Sequence, residues 1–466
     1  MKDKLYYEKA PCSKELFFQG YSTLSKDCPT HVLLESGRGG RYSFAGLHPF
    51  AKLTAKNNGL EIMEDSAAAF LPGDPLELLG DWMKERQVPK EEGIPDFQGG
   101  VIGYISYDYV RYIEDIGEKA VDDLGMPDIY FLAFNEWVVF DHQENQIWVM
   151  ELCEEGSSPG VKAELERWLS CGSTENEAAS IIASHGMQAD DRSVSMDEDQ
   201  FNHAVESIRE YIGSGDVFQV NLSVRQSIEL NLHPFEVYSI LRQLNPSPYM
   251  SFIHTPEFDI VSASPELLVK KSGLDVSTRP IAGTRSRGKD DEEDARLASE
   301  LIENEKERAE HVMLVDLERN DLGKVCDYGS VHVDEFMVIE KYSHVMHIVS
   351  NVRGKMNNEY NGVDLIKAVF PGGTITGAPK IRTMEIIEEL EPVKRGLYTG
   401  SIGWIGFNGD MEFNIVIRTM LVKDGQAHIQ AGAGIVIDSN PKYEYKESLK
   451  KAAALWRAIE AAGEMK

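Results

Sequence analysis

The stretch NEKERAEHVMLVDLERND, residues 304–321, decides how the rest of the chain is interpreted. The apolar residues in and just before it recur at the spacing of a helix: Leu301, Val312 and Val315. That spacing predicts one long helix. Three carboxylates would then share one face of it: Glu303, Glu307 and Glu310.

Like charges one turn apart destabilise a helix by about 0.2–0.5 kcal/mol per pair, so something should offset their repulsion. Lys306 and Arg308 would do so through salt bridges on a solvated face. A divalent cation would do so better, because hard cations prefer oxygen ligands. The stretch alone leaves two interpretations open, an acidic surface helix and a metal site.

A second acidic pair lies near the end of the chain. Residues 439–441 (Ser-Asn-Pro) predict a helix start, and the helical pattern continues to about Ala462. Glu444 and Glu447 are one turn apart on this helix, and Lys451 follows on the same side. Acids in a first turn can simply complement the helix dipole. Alternatively, the two glutamate pairs converge on one Mg²⁺, which keeps several waters and often bridges to an anionic substrate.

The chain is strongly acidic, with 77 Asp and Glu against 47 Lys and Arg and a formal net charge of −30. This charge argues against nucleic acid and anionic membrane surfaces as partners. An anionic substrate would be repelled at long range and would need a local cation. The five cysteines are scattered without a Cys-x-x-Cys pair, which favours a reducing cytoplasm. The most apolar window, residues 129–140, is interrupted by Asn135 and Glu136 and is too short to span a bilayer.

Runs of strands punctuated by helices, without regular βαβ alternation, predict an α+β fold. We expect an N-terminal unit of mostly antiparallel strands over residues 1–152, a polar linker over 153–197 and a second unit over 198–466. Within the first unit, the pattern predicts a helical lead-in over residues 1–20 and a glycine-interrupted strand pair over 97–109.

Two charged residues are candidates for a buried site. The pattern predicts a strand over residues 411–421 with Arg418 in its middle, where a charge is expensive unless it is paired. A substrate carboxylate or a buried glutamate would satisfy it. Glu266, in the sequence Ser-Pro-Glu, would keep its proton if buried and could act as a general acid.

Two glycine-rich stretches and a histidine pair remain open to more than one interpretation. Residues 371–380 (PGGTITGAPK) have Ala378 where a phosphate loop has a lysine directly after its second glycine, so they form either a bare turn or a backbone cradle for a carboxylate. Residues 431–434 (AGAG) indicate either close sheet packing or backbone N–H groups that face a ligand. His344 and His347 have little support as zinc ligands, and a hydrogen-bonded core histidine is the commoner case.

Together these stretches resemble the chorismate-utilising enzymes. The motifs occur in that family's order: SPE (264–266), PIAGT (280–284), KERAEHVMLVDLERND (306–321), SHVMH (343–347), PGGTITGAPK (371–380), RGLYTGSIGW (395–404) and AGAGIV (431–436). The resemblance runs from Leu33 to the end of the chain, apart from the linker. It implies an α+β fold, a two-sheet β-sandwich flanked by helices, with the active site in the second unit.

The resemblance also implies roles for particular residues. The implied Mg²⁺ ligands form an acidic ring: Glu310 and Glu447, with Glu307 and Glu444 beside them. Glu266 would protonate the departing C4 hydroxyl of chorismate, His347 would line the ring, and Lys451 would contact the substrate. The residues implied to bind or surround the substrate are Gln219, Ala282, Gly283, Thr284, Thr374, Tyr398, Arg418, Gly432, Ala433 and Gly434.

Two of these positions separate branches of the family. Gln219 stands where the branches that add water have a lysine, and because glutamine is no base, ammonia is implied as the nucleophile. Ala282 stands where many enzymes that make 4-amino-4-deoxychorismate have a lysine that attacks C2, so direct ammonia addition is implied. The other motifs favour that product, in p-aminobenzoate and folate biosynthesis, with anthranilate as the alternative. The chain has no amidotransferase cysteine motif, which implies a separate glutamine amidotransferase subunit.

Two further motifs resemble the tryptophan pocket of the family. They comprise Leu34, Glu35 and Ser36 together with Pro248, Tyr249 and Met250. Plain strand packing would explain the first motif but not both. The resemblance implies that tryptophan is either an inhibitor or a structural ligand. A non-catalytic tryptophan-binding regulatory protein is a less favoured interpretation, because the acidic residues, Arg418 and His347 are all present.

Overall fold

The structure, a computed structural model, describes residues 3–64, 67–171, 192–342 and 345–464. Residues 172–191 of the predicted linker lie outside the described residues, as do Ser343 and His344 of the SHVMH motif. The helices in chain order are α1 (Lys14–Leu24), α2 (Pro75–Lys84), α3 (Val161–Ser170), α4 (Glu198–Gly213), α5 (Pro234–Leu244), α6 (Asp291–Glu303), α7 (Glu305–Gly323), α8 (Gly362–Val369), α9 (Lys380–Leu390), α10 (Pro441–Lys451) and α11 (Ala453–Glu464). Within the described ranges, none of the helices has the length and apolar character needed to cross a membrane.

The strands in chain order are β1 (Asp3–Pro11), β2 (His31–Glu35), β3 (Tyr42–Gly46), β4 (Ala51–Ala55), β5 (Gly59–Glu64), β6 (Ala67–Pro72), β7 (Gly100–Ile105), β8 (Ile129–Phe134), β9 (Glu136–Asp141), β10 (Gln146–Glu154), β11 (Ser193–Val194), β12 (Gln219–Glu229), β13 (Tyr249–His254), β14 (Asp259–Ser264), β15 (Leu267–Ser272), β16 (Asp275–Arg279), β17 (Ile281–Ser286), β18 (His332–Lys341), β19 (Val345–Lys355), β20 (Gly377–Ala378), β21 (Ser401–Gly406), β22 (Met411–Asn414), β23 (Thr419–Lys423) and β24 (Gln426–Ile435).

These strands form two large antiparallel sheets. Sheet A has the order β1-β10-β9-β3-β2-β13-β14-β23-β24-β12-β11, with β20 also paired to β12. Sheet B has the order β17-β19-β16-β15-β22-β21-β7-β8-β4-β5-β6, with β18 also paired to β19. Helices flank both sheets, and the predicted α+β fold of two sheets is confirmed.

Strands from the N-terminal segment and from the second half of the chain share both sheets. Sheet A joins them where β2 pairs with β13, and sheet B joins them where β7 pairs with β21. The aromatic core is shared as well, because the Phe258 ring packs edge-on against Tyr130 at 5.0 Å and against Tyr104 at 5.9 Å between ring centroids. The domain boundaries proposed at residues 152 and 197 stay a prediction. Strands from before and after these boundaries contribute to both sheets.

Two neighbouring connections that carry the chain from one sheet to the other lie in its second half. The chain leaves β14 of sheet A for β15 of sheet B through Pro265 and Glu266, and it returns from β22 to β23 through residues 415–418. The two crossings are bound together, because the Ile415 N–H donates to the Glu266 carbonyl at 3.0 Å and the Ser264 hydroxyl donates to the Ile415 carbonyl at 2.6 Å. This places Glu266 and Arg418 on adjacent segments.

Arg418 differs from the prediction of a mid-strand residue. Residues 411–421 are two strands in different sheets, and Arg418 lies between them with φ of 51°, in the left-handed region. A mostly apolar run concealed the break, since the residues of both strands and of their connection are buried or half-buried. Its carbonyl is held by the Ala263 N–H at 3.1 Å, which fixes this unusual conformation against the other crossing.

The prediction of one helix through Glu303, Glu307 and Glu310 was wrong. Glu303 ends α6, and α7 begins at Glu305 after Asn304, whose side chain accepts from the Glu307 N–H at 3.0 Å. Asparagine favours such a cap, and the chain turns there. Only Glu307 and Glu310 therefore share a helix face.

Three other predictions need correction. Residues 3–11 form strand β1, paired with β10, rather than a helical lead-in. Residues 97–109 contain the single strand β7 and a following 3₁₀ turn, rather than a strand pair. The C-terminal helix is broken at Ala452 into α10 and α11, although its predicted start at Pro441 is confirmed, with Asn440 as the cap.

Replacing Phe258 with alanine tests whether the shared core holds the chain together. We expect a loss of about 3–5 kcal/mol in the free energy of unfolding, because a buried aromatic ring is removed from contact with two tyrosines of the N-terminal segment. Urea unfolding followed by tryptophan fluorescence would measure it, with the exposed Phe336→Ala as the matched control. A loss as small as that of the control would contradict the expectation.

Candidate active site

Glu266 is a buried acid at the crossing between the sheets, with 5% of its surface exposed. Burial raises the pKa of its carboxyl to about 7 and exceeds the opposing influence of the Thr374 hydroxyl and the Arg418 guanidinium. Its Oε1 atom and the Oγ1 atom of Thr374 are both buried without a hydrogen-bond partner among the described residues. Two polar groups thus face the same space, and one of them can carry a proton at neutral pH.

Arg418 supplies the cation that the composition argument requires. Burial lowers the pKa of its guanidinium, while Glu266 and Tyr342 act in the opposite direction. Within the described chain, its guanidinium takes part in no salt bridge. A buried cation beside a carboxyl that is often protonated leaves a positive charge available, which favours binding of an anion.

His347 lies on β19 and is 5% exposed. Its Nδ1 atom lies 3.0 Å from the Gly283 carbonyl and 3.1 Å from the Thr284 hydroxyl. A carbonyl only accepts, so Nδ1 carries the proton. Burial, aided by the charge of Arg418, lowers the pKa of the imidazole to about 4. The ring is therefore neutral at pH 7 and presents Nε2 as an acceptor.

Tyr398 belongs to a loop that is bound to the second crossing. The neighbouring Thr399 N–H donates to the Val416 carbonyl at 2.8 Å, and the buried Arg395 guanidinium lies 5.5 Å from the Tyr398 ring centroid. Arg395 also donates to the Ile375 carbonyl at 3.0 Å, within the PGGTITGAPK stretch. That stretch forms a 3₁₀ turn and the short strand β20 before α9, and Arg395 ties it to Tyr398.

Glu307 and Glu310 lie on α7, which packs on β17 and β19. Glu307 Oε1 is 3.0 Å from Arg285 Nη1. Gly283 forms a bulge with φ of 59°, and a Cβ atom there would lie 3.1 Å from Glu307 Oε2. Glu310 Oε1 accepts from Gln219 Nε2 at 3.1 Å. The two carboxylates thus face different strands, β17 of sheet B and β12 of sheet A.

The second acidic pair lies on α10 beside the end of β24. Glu447 Oε1 is 3.3 Å from Lys451 Nζ, which also donates to the Gly432 carbonyl at 2.9 Å. Burial, and then the charge of Glu447, raises the pKa of the Glu444 carboxyl. Lys306 on α7 is near enough to lower that pKa. The two helices therefore bring their acids to the same part of the molecule.

These carboxylates are compatible with Mg²⁺. As their side chains stand in the described part of the chain, no three acidic, histidine or cysteine residues form a ready metal cage. Mg²⁺ needs only one or two carboxylates, because water and substrate oxygens complete its coordination. Two helices present hard oxygen donors on either side of the end of β24, so the residues present fit the ion.

Ala282 and the AGAG stretch line the sheet edges near these acids. Ala282 lies on β17 opposite Ile348, and its methyl group offers no nucleophile. A Cβ atom at Gly432 would lie 2.6 Å from the Leu222 carbonyl, and one at Gly434 would lie 2.1 Å from Gln219 Nε2. Gly432 is therefore needed for the close approach to β12, and Gly434 leaves the space that the Gln219 side chain occupies.

Glu318 is a residue of this region that sequence reasoning missed. It is 3% exposed, and burial raises the pKa of its carboxyl to about 8, with the nearby Asp321 and Glu266 adding to the shift. The Thr278 hydroxyl donates to its Oε2 atom at 3.0 Å. A signal was available, because Glu318 shares the helical face of Leu314 and Leu322, which are buried.

A separate cavity of about 550 Å³ contains all six residues of the predicted tryptophan pocket in its wall: Leu34, Glu35, Ser36, Pro248, Tyr249 and Met250. The volume falls within the range of about 300–1,000 Å³ that is typical of small-molecule sites. Ser251 also lines it, and its buried hydroxyl has no hydrogen-bond partner among the described residues. Tyr342 lines the same cavity, and its ring packs edge-on against His347 at 5.4 Å.

Comparison with known proteins agrees with this geometry. Residues 30–457 match the family described as chorismate binding enzymes. The chain is 56% identical over 461 residues to aminodeoxychorismate synthase component 1 of Bacillus subtilis, covering 98% of this chain and 97% of the relative. It is 40% identical over 454 residues to anthranilate synthase component 1 of Acetivibrio thermocellus, covering 93% of this chain and 91% of the relative.

A solved structure agrees as well. Anthranilate synthase component I from Streptococcus pneumoniae superimposes with a TM-score of 0.80 at 37% identity, covering 90% of this chain and 93% of that one. By sequence and by fold, the chain is an enzyme that belongs to the chorismate binding family.

Proposed function

We propose that the protein aminates chorismate to 4-amino-4-deoxychorismate, with ammonia from a glutamine amidotransferase partner, in p-aminobenzoate and folate biosynthesis. The observation that carries this proposal is the pair formed by Glu266, a buried carboxyl with a pKa of about 7, and Arg418, a half-buried residue whose guanidinium forms no salt bridge within the described residues. The 56% identity to an aminodeoxychorismate synthase component supports this product.

Glu266 acts as the general acid. The reaction replaces the C4 hydroxyl of the ring by an amino group, so chorismate and ammonia give the amine and water. The proton of Glu266 goes to the departing oxygen as its bond to C4 breaks, and a proton released by the new amine restores the acid. A carboxyl with a pKa near 7 suits both directions of transfer at neutral pH.

Arg418 binds a carboxylate of chorismate, and the neutral His347 accepts a hydrogen bond through Nε2. Tyr398 and Thr374 complete the wall, and the Thr374 hydroxyl, which makes no hydrogen bond of normal geometry among the described residues, is available to the substrate. Mg²⁺ held by Glu310 and Glu447, with Glu307 and Glu444 beside them, would neutralise a substrate carboxylate and stabilise developing negative charge. Lys451 lies at the edge of this acidic ring.

Ammonia rather than water is the nucleophile. Gln219 cannot act as a base to activate water, and Ala282 cannot attack the ring, so the nucleophile comes from outside the chain. Ammonia is supplied by a glutamine amidotransferase subunit. No disulfide joins the cysteines of the described residues, which suits the reducing cytoplasm in which we place the enzyme.

Anthranilate synthesis is the second candidate. Ala282 favours it, because the residue removes the covalent route that a lysine would provide. The 40% identity to an anthranilate synthase component supports the same alternative.

A product assay separates the two candidates. We expect the purified chain with chorismate, Mg²⁺ and ammonium salt to give p-aminobenzoate only when aminodeoxychorismate lyase is added. Fluorescent anthranilate formed without the lyase would show that the second candidate is right. If neither product forms, with the chain folded and Mg²⁺ present, both candidate functions are contradicted.

Glu266→Gln tests the buried acid through stability as well as activity. The pKa of the carboxyl is raised to about 7 in the folded chain from 4.5. Its contribution to stability is therefore fully present below pH 4.5 and is lost as pH rises through 7. Because glutamine has no acidic proton to donate, the variant should lose turnover. Because glutamine stays neutral, its free energy of unfolding should exceed that of the wild type by up to roughly 3 kcal/mol at pH 8, with little difference at pH 4.5. Urea unfolding at the two pH values measures this, with the exposed Glu229→Gln as control; an equal effect at both would refute the assignment.

The cavity of about 550 Å³ binds tryptophan in this proposal. L-tryptophan at about 100 times its dissociation constant should then stabilise the folded chain by about 2.7 kcal/mol, raising its melting temperature. Ser251→Leu, which fills the cavity from a position that has no hydrogen-bond partner, should abolish the shift. Differential scanning calorimetry with D-tryptophan as the control ligand measures it. A wild type that does not respond to L-tryptophan would contradict the assignment.

A further inference from the structure

Gln219 forms a hydrogen bond with Glu310 that its role in excluding water as the nucleophile does not explain. Its Nε2 atom donates to Glu310 Oε1 at 3.1 Å, across 91 positions of sequence, and the residue is 8% exposed. No other contact to Glu310's carboxylate occurs among the described residues, so Oε2 is left unengaged. The amide thus fixes one oxygen of the carboxylate and leaves the other for a ligand.

The backbone around Gln219 is held on both sides. On one side β12 pairs with β24, where Val220 lies opposite Ile435, and on the other it pairs with β20, where Gln219 lies opposite Ala378. A Cβ atom at Gly377 would lie 2.0 Å from the Gln219 carbonyl, so the third strand approaches closely. The direction of the Gln219 side chain is therefore set by two ladders.

Gly434 provides the space that the amide occupies. A Cβ atom there would lie 2.1 Å from Gln219 Nε2, well inside contact distance, but the nearest backbone atom is not among its close neighbours. An alanine at this position would therefore push aside the end of one side chain and leave the strands in place. Gly432 is different, because a Cβ atom there would meet the Leu222 carbonyl at 2.6 Å.

The neutral charge of the donor matters. Glu307 and Glu447 are paired with the cations Arg285 and Lys451, whose side chains are 31% and 46% exposed and can turn toward solvent. Glu310 is instead held by a buried amide, which orients the carboxylate without neutralising it. A carboxylate that keeps its full charge and has one oxygen fixed is prepared to bind a cation.

We propose that Gln219 is the positioning residue for Glu310 as a Mg²⁺ ligand, and that Gly434 is a glycine because it seats the Gln219 amide. The inference rests on the proposed function, since that function supplies the metal. It assigns to Gln219 and Gly434 a task in metal binding that is separate from the choice of nucleophile.

Mn²⁺ titration followed by EPR tests the proposal on the full chain without substrate, because the signal of the hydrated ion falls on binding. Gln219→Met keeps the length and loses the donor, and Gly434→Ala displaces the amide. We expect each to weaken Mn²⁺ affinity by about 10- to 100-fold, the usual effect of removing a partner of a metal ligand. The double variant should bind Mn²⁺ with the affinity of whichever single variant binds it more weakly, since the two substitutions remove the same hydrogen bond.

Gln226→Met is the matched control, because Gln226 is a buried glutamine of the same strand whose Nε2 atom has no hydrogen-bond partner among the described residues. Its Mn²⁺ affinity should equal that of the wild type. Unchanged affinity in Gln219→Met, or an equal loss in the control, would overturn the role of Gln219. Losses that multiply in the double variant would overturn the role of Gly434. A wild type that binds no Mn²⁺ would instead refute the metal in the proposed function, and circular dichroism checks that each variant folds.

Discussion

The site depends on the hydrogen bonds that join two sheet crossings. The Ile415 N–H donates to the Glu266 carbonyl and the Ser264 hydroxyl donates back to the Ile415 carbonyl, so neither segment can move without the other. Backbone groups in a buried connection must find partners, and here each crossing supplies the partners of the other. The consequence is chemical, because the two joined crossings place an acid beside a guanidinium.

That pair is costly until a substrate arrives. A buried guanidinium without a salt bridge and a buried carboxyl that holds its proton each give up hydration. The fold tolerates both because the surrounding aromatic and aliphatic core is large and shared by the whole chain. An anion that binds Arg418 supplies a charged partner for the guanidinium. Part of the free energy lost when the guanidinium gave up its hydration is then recovered as binding affinity for a charged substrate. In a chain with a net charge of −30, such local cations decide where an anion can bind.

The sequence predicted the chemistry of the site better than its architecture. The α+β class, Glu266 as a buried acid and the common location of the six cavity residues could all be inferred from motifs whose residue types have few alternative uses. The sheet crossings could not, because residues 411–421 are mostly apolar and a change of sheet leaves no signal in hydrophobic periodicity. The break at Asn304 was visible in principle, since asparagine is a strong cap, but the charges on either side continued the helical spacing. Glu318 was missed because α7 carries many charged residues, and only the spacing of Glu318 from Leu314 and Leu322 shows that it lies on the buried face.

The cavity and the active site are separated by the thickness of one aromatic ring. Tyr342 lines the cavity, and its ring packs edge-on against His347. Its hydroxyl donates to Glu340 at 2.9 Å. Arg38, from the loop that follows β2, lies 5.7 Å from the same ring on the cavity side. A molecule bound in the cavity would contact Tyr342 directly, and any displacement of the ring would reach the imidazole that faces the substrate. Tight packing transmits such displacements instead of absorbing them. Tyr342 follows β18 and precedes β19, the strand that carries His347, so its ring forms a wall common to the cavity and the candidate active site.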